Sequence, residues 1–444
     1  MDLPVVRPTV GAEPLDSADH QVLTGVTGQP VAVVHTAPPL LVQLALRRIA
    51  RADDAPVPAG VFTEAGRLFA TATLDDETPD EYCARAASAS GVPVGVYRRA
   101  LGHVSAELSY MDTVGPPAVS PVVIAPGVEA AVRWVPRGRL LTVICPSNHP
   151  EPHLTWVRGL AAGYRVLVRP GSADPFTPAR LSAALVKAGL PADRLALLPS
   201  DHGTADLLVR TADRAIVYGG PAAARRWRGH PAVLVRGPGY SKALVDVPAT
   251  GAVIDHLASA VAGDGGVRCT NTSVIRTGDD TLATALAARL GAIPVHPVTD
   301  PDAVLPAVPT AVAEAVREQL GNLLAGGMVD HSGYAADPFA TSSDGSLVAR
   351  PVVLGAPAGV AVPDVELPLP FVIVAPWQPG DGLAPLRNSL VLNILGQSRE
   401  ALPEPTVRKV VHGAVPPWTT APGLPHDGSL TDFLLEPKTV LRET

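Results

Sequence analysis

Between Leu140 and Tyr218 short apolar runs alternate with segments of helical spacing, and this alternation limits the possible folds more than any other feature of the chain. Leu140 to Cys145 suits a buried strand, Pro150 to Ala162 repeats its apolar positions as a helix does, and Arg165 to Val168 is apolar again. That is a βαβ unit. The order continues through a helix from about Pro178 to Ala188, a strand Leu195-Ala196-Leu197-Leu198, a helix near Thr204 to Val209 and a strand Ala215-Ile216-Val217-Tyr218. Strands joined by helices return in the same direction, so the sequence predicts a parallel, doubly wound sheet covered on both faces.

A second cycle begins beyond Pro248, with a helix at Ala252 to Ala262, the turn Gly263-Asp264-Gly265-Gly266, a strand Thr272 to Arg276 and a helix Leu282 to Leu290. A second α/β domain follows from it. Upstream, Leu40, Leu41, Leu44, Ala45 and Ile49, then Val61, Ala65, Leu68 and Phe69, recur at helical spacing and predict packed helices from Pro39 to about Tyr110. Residues 121–135 read as two short β-rich runs around Pro126-Gly127, a hairpin. Residues 351–378 and 415–426 are rich in proline, and Thr439-Val440-Leu441 suits an exposed strand. A length of 444 residues accommodates two or three domains.

Charged residues make up 17% of the chain and the net charge of −7 is spread without a basic block, which argues against nucleic acid and anionic membranes as partners. No apolar run reaches membrane-spanning length, and Met1-Asp2-Leu3-Pro4 does not resemble a secretory leader, so the expected location is the cytoplasm. The cysteines Cys83, Cys145 and Cys269 are too few and too dispersed for a disulfide framework or a four-ligand zinc site. Each is expected as a free thiol, and no metal is expected.

Gly239-Tyr240-Ser241-Lys242-Ala243 imitates a serine nucleophile elbow without its final glycine, and Gly237-x-Gly239 lacks the third glycine of a dinucleotide fingerprint. Both read better as turns. Cys269 is more informative, because it follows a helix and a Gly-rich turn and precedes a strand, a bend able to present a thiol at the edge of an interdomain cleft. The competing reading is a small buried hydrophobe. Pro146-Ser147-Asn148-His149-Pro150 follows the first strand of the βαβ series and opens a helix. The Asn148 amide there could donate to an oxyanion on a carbonyl attacked by Cys269, or merely cap the helix.

With these residues placed, the chain from about residue 121 onward resembles the aldehyde dehydrogenase superfamily. Cys145-Pro146-Ser147-Asn148-His149-Pro150 is similar to the family's Pro-Trp-Asn-Phe-Pro segment. Leu160-Ala161-Ala162-Gly163-Tyr164-Arg165-Val166-Leu167-Val168-Arg169-Pro170 resembles its Leu-Ala-Ala-Gly-Asn-x-Val-Val-x-Lys-Pro, and Ala188-Gly189-Leu190-Pro191 matches the next helix end. Tyr218-Gly219-Gly220 stands where the family has Thr-Gly-Ser, and Gly265-Gly266-Val267-Arg268-Cys269 where it has its cysteine loop. Glu366-Leu367-Pro368-Leu369-Pro370 takes the place of Glu-x-Phe-Gly-Pro, and Pro417-Trp418 lies near the Pro-Phe-Gly-Gly segment.

The resemblance implies a Rossmann-like cofactor domain from residues 1–120 and 136–248, a catalytic α/β domain at 249–424, and a small β oligomerisation element from 121–135 and 425–444. It implies Cys269 as nucleophile and Asn148 as oxyanion donor beside the backbone amide of Cys269. Arg169, Ser172, Gly219, Gly220 and Glu366 are the implied cofactor residues. Arg169 replaces a ribose-binding lysine, and Ser172 stands where NAD-preferring members have a carboxylate, so NADPH is the expected cofactor and NADH a possible one. Gly219 and Gly220 would let backbone approach the pyrophosphate, and Glu366 would hold the nicotinamide ribose or else be a solvated surface acid.

One departure bears on the chemistry. Aldehyde-oxidising members carry a glutamate in Glu-Leu-Gly-Gly that activates water against the acyl-enzyme, whereas the corresponding Arg236-Gly237-Pro238-Gly239 has no carboxylate. Members that reduce activated acyl groups share that omission. The expected function is therefore NAD(P)H-dependent reduction of an acyl thioester, on coenzyme A or an acyl carrier protein, to the aldehyde through a cysteine acyl-enzyme. The alternatives are oxidation of an aldehyde to an acid with a base supplied from elsewhere, and a catalytically degenerate scaffold or carrier-binding protein. His149 or His153 could assist protonation, though a histidine at a helix start is more often structural. A homodimer or homotetramer is expected from strand pairing between subunits.

Overall fold

The computed structural model describes residues 3–50, 56–113, 122–396, 406–421, 424–425 and 427–443. The expected domain boundary at residues 120 and 121 and the outer limits at 1 and 444 lie outside them. Five parallel strands occur in the order Val233–Arg236, Arg214–Tyr218, Leu140–Ile144, Arg165–Arg169 and Leu195–Leu197. Thr9–Val10 and Glu13–Pro14 extend this sheet antiparallel at one edge. All five residues of Arg165–Arg169 are buried, as a strand covered on both faces requires.

The helix Leu154–Ala161 lies so close to this sheet that a Cβ on Gly159 would stand 2.4 Å from Leu141 Cδ2. Glycine is what permits that approach. A second seven-stranded sheet holds Val352–Gly355, Phe371–Pro376, Val274–Thr277, Lys242–Val245, Val391–Leu395 and Lys409–His412 in parallel, with Val329–Asp330 antiparallel at its edge. The helices Gly251–Ala262 and Leu282–Gly291 cover this sheet and share its core through Leu257, Val261, Ile275 and Leu286.

The hairpin Val122–Ala125 and Val128–Pro136 turns at Gly127, whose φ of 74° is the left-handed conformation glycine adopts freely. Its long strand pairs antiparallel with Leu435–Glu443, from Leu435 opposite Pro136 to Glu443 opposite Val128. Tyr164 Oη donates to the Leu434 carbonyl at 2.6 Å, and Arg137 Nε donates to those of Asp432 and Leu435. The chain end is thus fastened to the first domain.

Two regions differ from the sequence reading. The residues before Pro39 carry five short strands, two of which complete the first sheet. The proline-rich stretch 351–378 contains two central strands of the second sheet, because Pro351, Pro370 and Pro376 lie at or just outside strand ends, where no ladder donor is lost from the interior.

Acid sensitivity is built into the first domain. His153 is fully buried and its Nδ1 accepts from Trp156 Nε1 at 3.2 Å, while burial drives its pKa down from 6.5 to about 3. The unfolded chain takes up this proton first, so the stabilisation is complete above pH 6.5 and is lost as pH falls toward about 3. Unfolding free energy from denaturant titration should decline across that window by up to about 1.4 kcal/mol per pH unit for this one group. His153→Gln, which keeps an acceptor for Trp156, should flatten the dependence.

Candidate active site

The cysteine loop begins where the helix Gly251–Ala262, capped by the Thr250 side chain, ends at Gly263 against the ring of Trp418. Asp264, Gly265 and Gly266 follow with φ of 52°, 79° and 68°, three successive left-handed residues that reverse the chain. A side chain on Gly266 is excluded, because its Cβ would lie 2.5 Å from Pro370 Cα. Asn271 holds the loop from inside: its Oδ1 accepts from Arg268 N at 2.7 Å, and its Nδ2 donates to the carbonyls of Ala260 and Gly263. Cys269 is left at the turn, with its carbonyl accepting from Ser241 Oγ at 2.9 Å. Ser241 is a buried strut for the loop.

Charge joins this loop to the first domain. Arg268 Nε donates to Asp264 Oδ2 at 2.5 Å, and its two terminal nitrogens grip Glu151 at 2.8 and 3.1 Å. His149 Nε2 lies 3.2 Å from the same Asp264 oxygen, and Arg99 binds the other. Burial opposes ionisation of Asp264 and Glu151, but His149 and Arg268 outweigh it and hold both carboxyls below their usual range. Burial and the Arg268 charge lower the His149 pKa. Both histidines are buried, His149 against Asp264 and His153 against Trp156.

A cavity of about 1180 Å³ opens between the two domains and is lined by Asn148, Gly219, Gly220, Arg236, Cys269 and Glu366, among others. Cys269 is accessible from it although protein surrounds the sulfur on its other sides. Cys83 and Cys145 are buried. The structure thus replaces the buried-hydrophobe reading of Cys269 with a thiol facing an interdomain cleft. Asn148 lines the same cavity and donates from Nδ2 to the Val267 carbonyl at 2.6 Å, two residues before the cysteine. It does not cap the following helical turn, and its second amide hydrogen is left for a ligand.

Burial pushes the Cys269 thiol up to about 12, helped by the negative charges of Glu366 and Asp427 and opposed by Arg268 and Arg236. Glu366 is half-buried, with Oε1 accepting from Tyr240 N at 2.8 Å and Gly239 N at 3.1 Å. It is not a solvated surface acid; it holds the 237–240 turn against the cysteine loop. Arg236 occupies the cavity wall at the end of its strand, nine-tenths buried, with no hydrogen bond or ion pair to its guanidinium among the described residues.

Gly219 and Gly220 line the cavity at the end of the strand Arg214–Tyr218, where Gly219 N donates to the Arg236 carbonyl at 3.1 Å. Crevices beyond the carboxyl ends of parallel strands are where open α/β sheets bind nucleotides, and these bare backbone positions fit a phosphate bridge. Arg169 is buried and donates from Nε and Nη2 to the Ser200 carbonyl at 3.2 and 2.9 Å, and neither it nor the exposed Ser172 lines the cavity. Asp174, near them in sequence, is fully buried and bonded to Thr177 and Tyr97. It cannot grip a ribose.

Sequence reasoning missed Asp427, a cavity residue close enough for its charge to raise the thiol pKa. It also missed the Arg268–Glu151–Asp264–His149 cluster. Asp427 lies over 150 residues from Cys269 in a proline-rich stretch without motif, so no local signal marks it. The cluster was visible only as Asp264 within the Gly-rich turn and Glu151 after His149.

The sequence profile of the aldehyde dehydrogenase family matches residues 18–382. No curated protein sequence matches significantly. Among solved structures, the NAD+ complex of an aldehyde dehydrogenase from Bacillus cereus superposes with a TM-score of 0.81 at 15% identity, covering 99% of this chain and 96% of that one. Aldehyde dehydrogenase 21 from Physcomitrella patens, solved with its product succinate, gives 0.78 at 16% identity, with 100% and 99% covered. An indole-3-acetaldehyde dehydrogenase mutant from P. syringae, solved with NAD+ and IAA, gives 0.80 at 16% identity, with 99% and 96% covered. At such identities the likeness establishes the fold.

A Cβ on Gly239 would stand 1.9 Å from the Cys269 carbonyl oxygen and 3.0 Å from Glu366 Oε1. Both are fixed, so Gly239→Ala should displace the nucleophile rather than a loose side chain. The expected result is a folded protein, by circular dichroism, whose Cys269-dependent turnover falls by about 100-fold or more.

Proposed function

The chain belongs to the aldehyde dehydrogenase family, which makes it an oxidoreductase dependent on a nicotinamide nucleotide, and from that premise we propose that it reduces an acyl thioester to the aldehyde. The supporting observation is the cation at Arg236, in the segment where water-activating members carry a carboxylate. Glu366, the acid facing that segment, has its oxygens occupied by the Gly239 and Tyr240 amides. Neither group at that segment is set to deprotonate water, which favours an acyl-enzyme on Cys269 that is released by reduction.

In the proposed sequence Cys269 Sγ attacks the acyl carbon, a new C–S bond forms, and the carrier leaves as its thiol with the proton that Cys269 lost. A reduced nicotinamide held along the Gly219 and Gly220 backbone would supply hydride to the acyl carbon. The second Asn148 amide hydrogen and the Cys269 backbone amide support the oxyanion in both half-reactions. Collapse of that oxyanion breaks the C–S bond, frees the aldehyde and returns the thiol after protonation. Coenzyme A and an acyl carrier protein are the proposed carriers. NADPH is the proposed nucleotide because Ser172 adds no charge and Asp174 is bonded elsewhere.

Asp427 favours a second reading, aldehyde oxidation with water activated by a base from another segment. Product analysis separates the two. With NADPH and acyl-CoA, trapped aldehyde should accumulate with equimolar free thiol and be lost in Cys269→Ala; acid formed from free aldehyde and NADP+, with no thioester-dependent NADPH oxidation, would support oxidation instead. Arg236→Glu, which restores a carboxylate at the segment, should divert acyl-enzyme to acid.

We also propose a homodimer or homotetramer built through the sheet containing Val122–Ala125, whose Val122, Val123 and Ile124 are exposed. Sedimentation velocity should show no monomer at micromolar protein, and Val123→Lys should release it.

A further inference from the structure

The cavity wall carries several carboxylates, and all but one are engaged. Glu107 is bound by Arg158, Glu151 by Arg268, Asp364 by Lys242, and Glu366 by the Gly239 and Tyr240 amides. Asp427 makes no hydrogen bond or ion pair with a described residue. Its charge reaches the Cys269 thiol, and the thiol needs a proton acceptor before it can attack.

We propose that Asp427, brought into the cavity by the segment preceding the helix Leu430–Leu434, is the general base that takes the Cys269 proton and hands it to the departing group. The inference rests on Cys269 being the nucleophile of the reaction proposed above, and holds for reduction or oxidation alike. As Sγ bonds to the acyl carbon, the S–H proton passes to the Asp427 carboxylate, directly or through one water. The carboxylic acid then protonates the carrier thiolate as the acyl–carrier bond breaks, leaving Asp427 ionised as it began. No outside acid, base or oxidant is needed.

The groups facing the pair suit this exchange. Burial raises the Asp427 pKa, and Arg236 and Arg408 oppose that shift, so the carboxyl is more basic than a solvated one. Burial, Glu366 and Asp427 raise the thiol, with Arg268 and Arg236 opposing. A thiol at about 12 holds almost no thiolate at neutral pH, so proton transfer has to accompany attack. Tyr218 also lines the cavity; burial raises its pKa, and its hydroxyl shares a hydrogen bond of 2.6 Å with Thr155 Oγ1.

The test uses the full-length protein and p-nitrophenyl acetate, which acylates a reactive thiol with release of a coloured phenolate and requires neither cofactor nor thioester. Acylation burst rates are compared for native protein, Asp427→Asn, Asp427→Glu and Cys269→Ala, alongside the pH dependence of Cys269 alkylation by iodoacetamide, which reacts with thiolate. Removing the Asp427 charge must lower the thiol pKa and speed alkylation if the carboxylate is merely a nearby charge, and the burst should then accelerate too. A general base predicts opposite movements: faster alkylation, but a burst slower by about 100-fold in Asp427→Asn, partly recovered in Asp427→Glu and absent from Cys269→Ala. A burst in Asp427→Asn equal to or faster than native, or no burst in native protein, overturns the proposal. Failure of thioester reduction alone would show as a native burst without thioester-dependent NADPH oxidation.

Discussion

The contact on which the site depends is the grip of Arg268 on Asp264 and Glu151. Arg268 immediately precedes the nucleophile, Asp264 lies in the left-handed turn of the same loop, and Glu151 belongs to the other domain. A single guanidinium thereby closes the cysteine loop on itself and fastens it to the wall that carries Asn148. Its planar fork can satisfy two carboxylates in fixed directions at once, which a lysine could not do. His149 and Arg99 complete the cluster around Asp264, so that the charges withdrawn from water there are each paired. Backbone that would otherwise resist the left-handed conformation at Asp264 is held there by these bonds.

Around the sulfur the balance of charge is different. The loop cluster uses its own cation internally, so Arg268 offsets only part of the rise that burial, Glu366 and Asp427 impose on the thiol. Reactive cysteines commonly sit in electropositive surroundings that stabilise thiolate in the resting protein. Here burial and two carboxylates act the other way and favour the neutral thiol. The Arg236 guanidinium, which no described residue engages, adds positive charge to the cavity lining without itself being able to accept a proton.

Much of this is legible in the sequence. Strands such as Arg165–Arg169 and Leu140–Ile144 declare themselves because both faces are buried and apolar residues run without interruption. The helix–glycine–cysteine–strand order around Cys269 survives as read, because the turn needs glycine for steric reasons that any sequence must obey. What escaped notice depends on pairing across long intervals. Arg268 and Glu151 are 117 residues apart, and nothing local in either segment requires the other. Arg169 shows the opposite hazard: its place in a strand matches a ribose-binding position, yet its guanidinium turns to the Ser200 carbonyl, because a side chain buried at a strand end must bond whatever backbone acceptor lies beside it.

Replacing a carboxylate by Arg236 at the strand end changes more than one residue's charge. A carboxylate beside the sulfur would raise the thiol further and would attract the proton of any water in the cleft; a guanidinium does neither, and it repels the cationic form of any base placed nearby. A proton acceptor for the thiol then has to stand opposite the guanidinium and be held anionic by it. Asp427 lines the cavity with Arg236, and the charges of Arg236 and Arg408 oppose the rise that burial imposes on its carboxyl. The two changes therefore make physical sense together: with a cation at Arg236, the proposed transfer of the thiol proton falls to Asp427, the carboxylate of the cavity wall that no described residue engages.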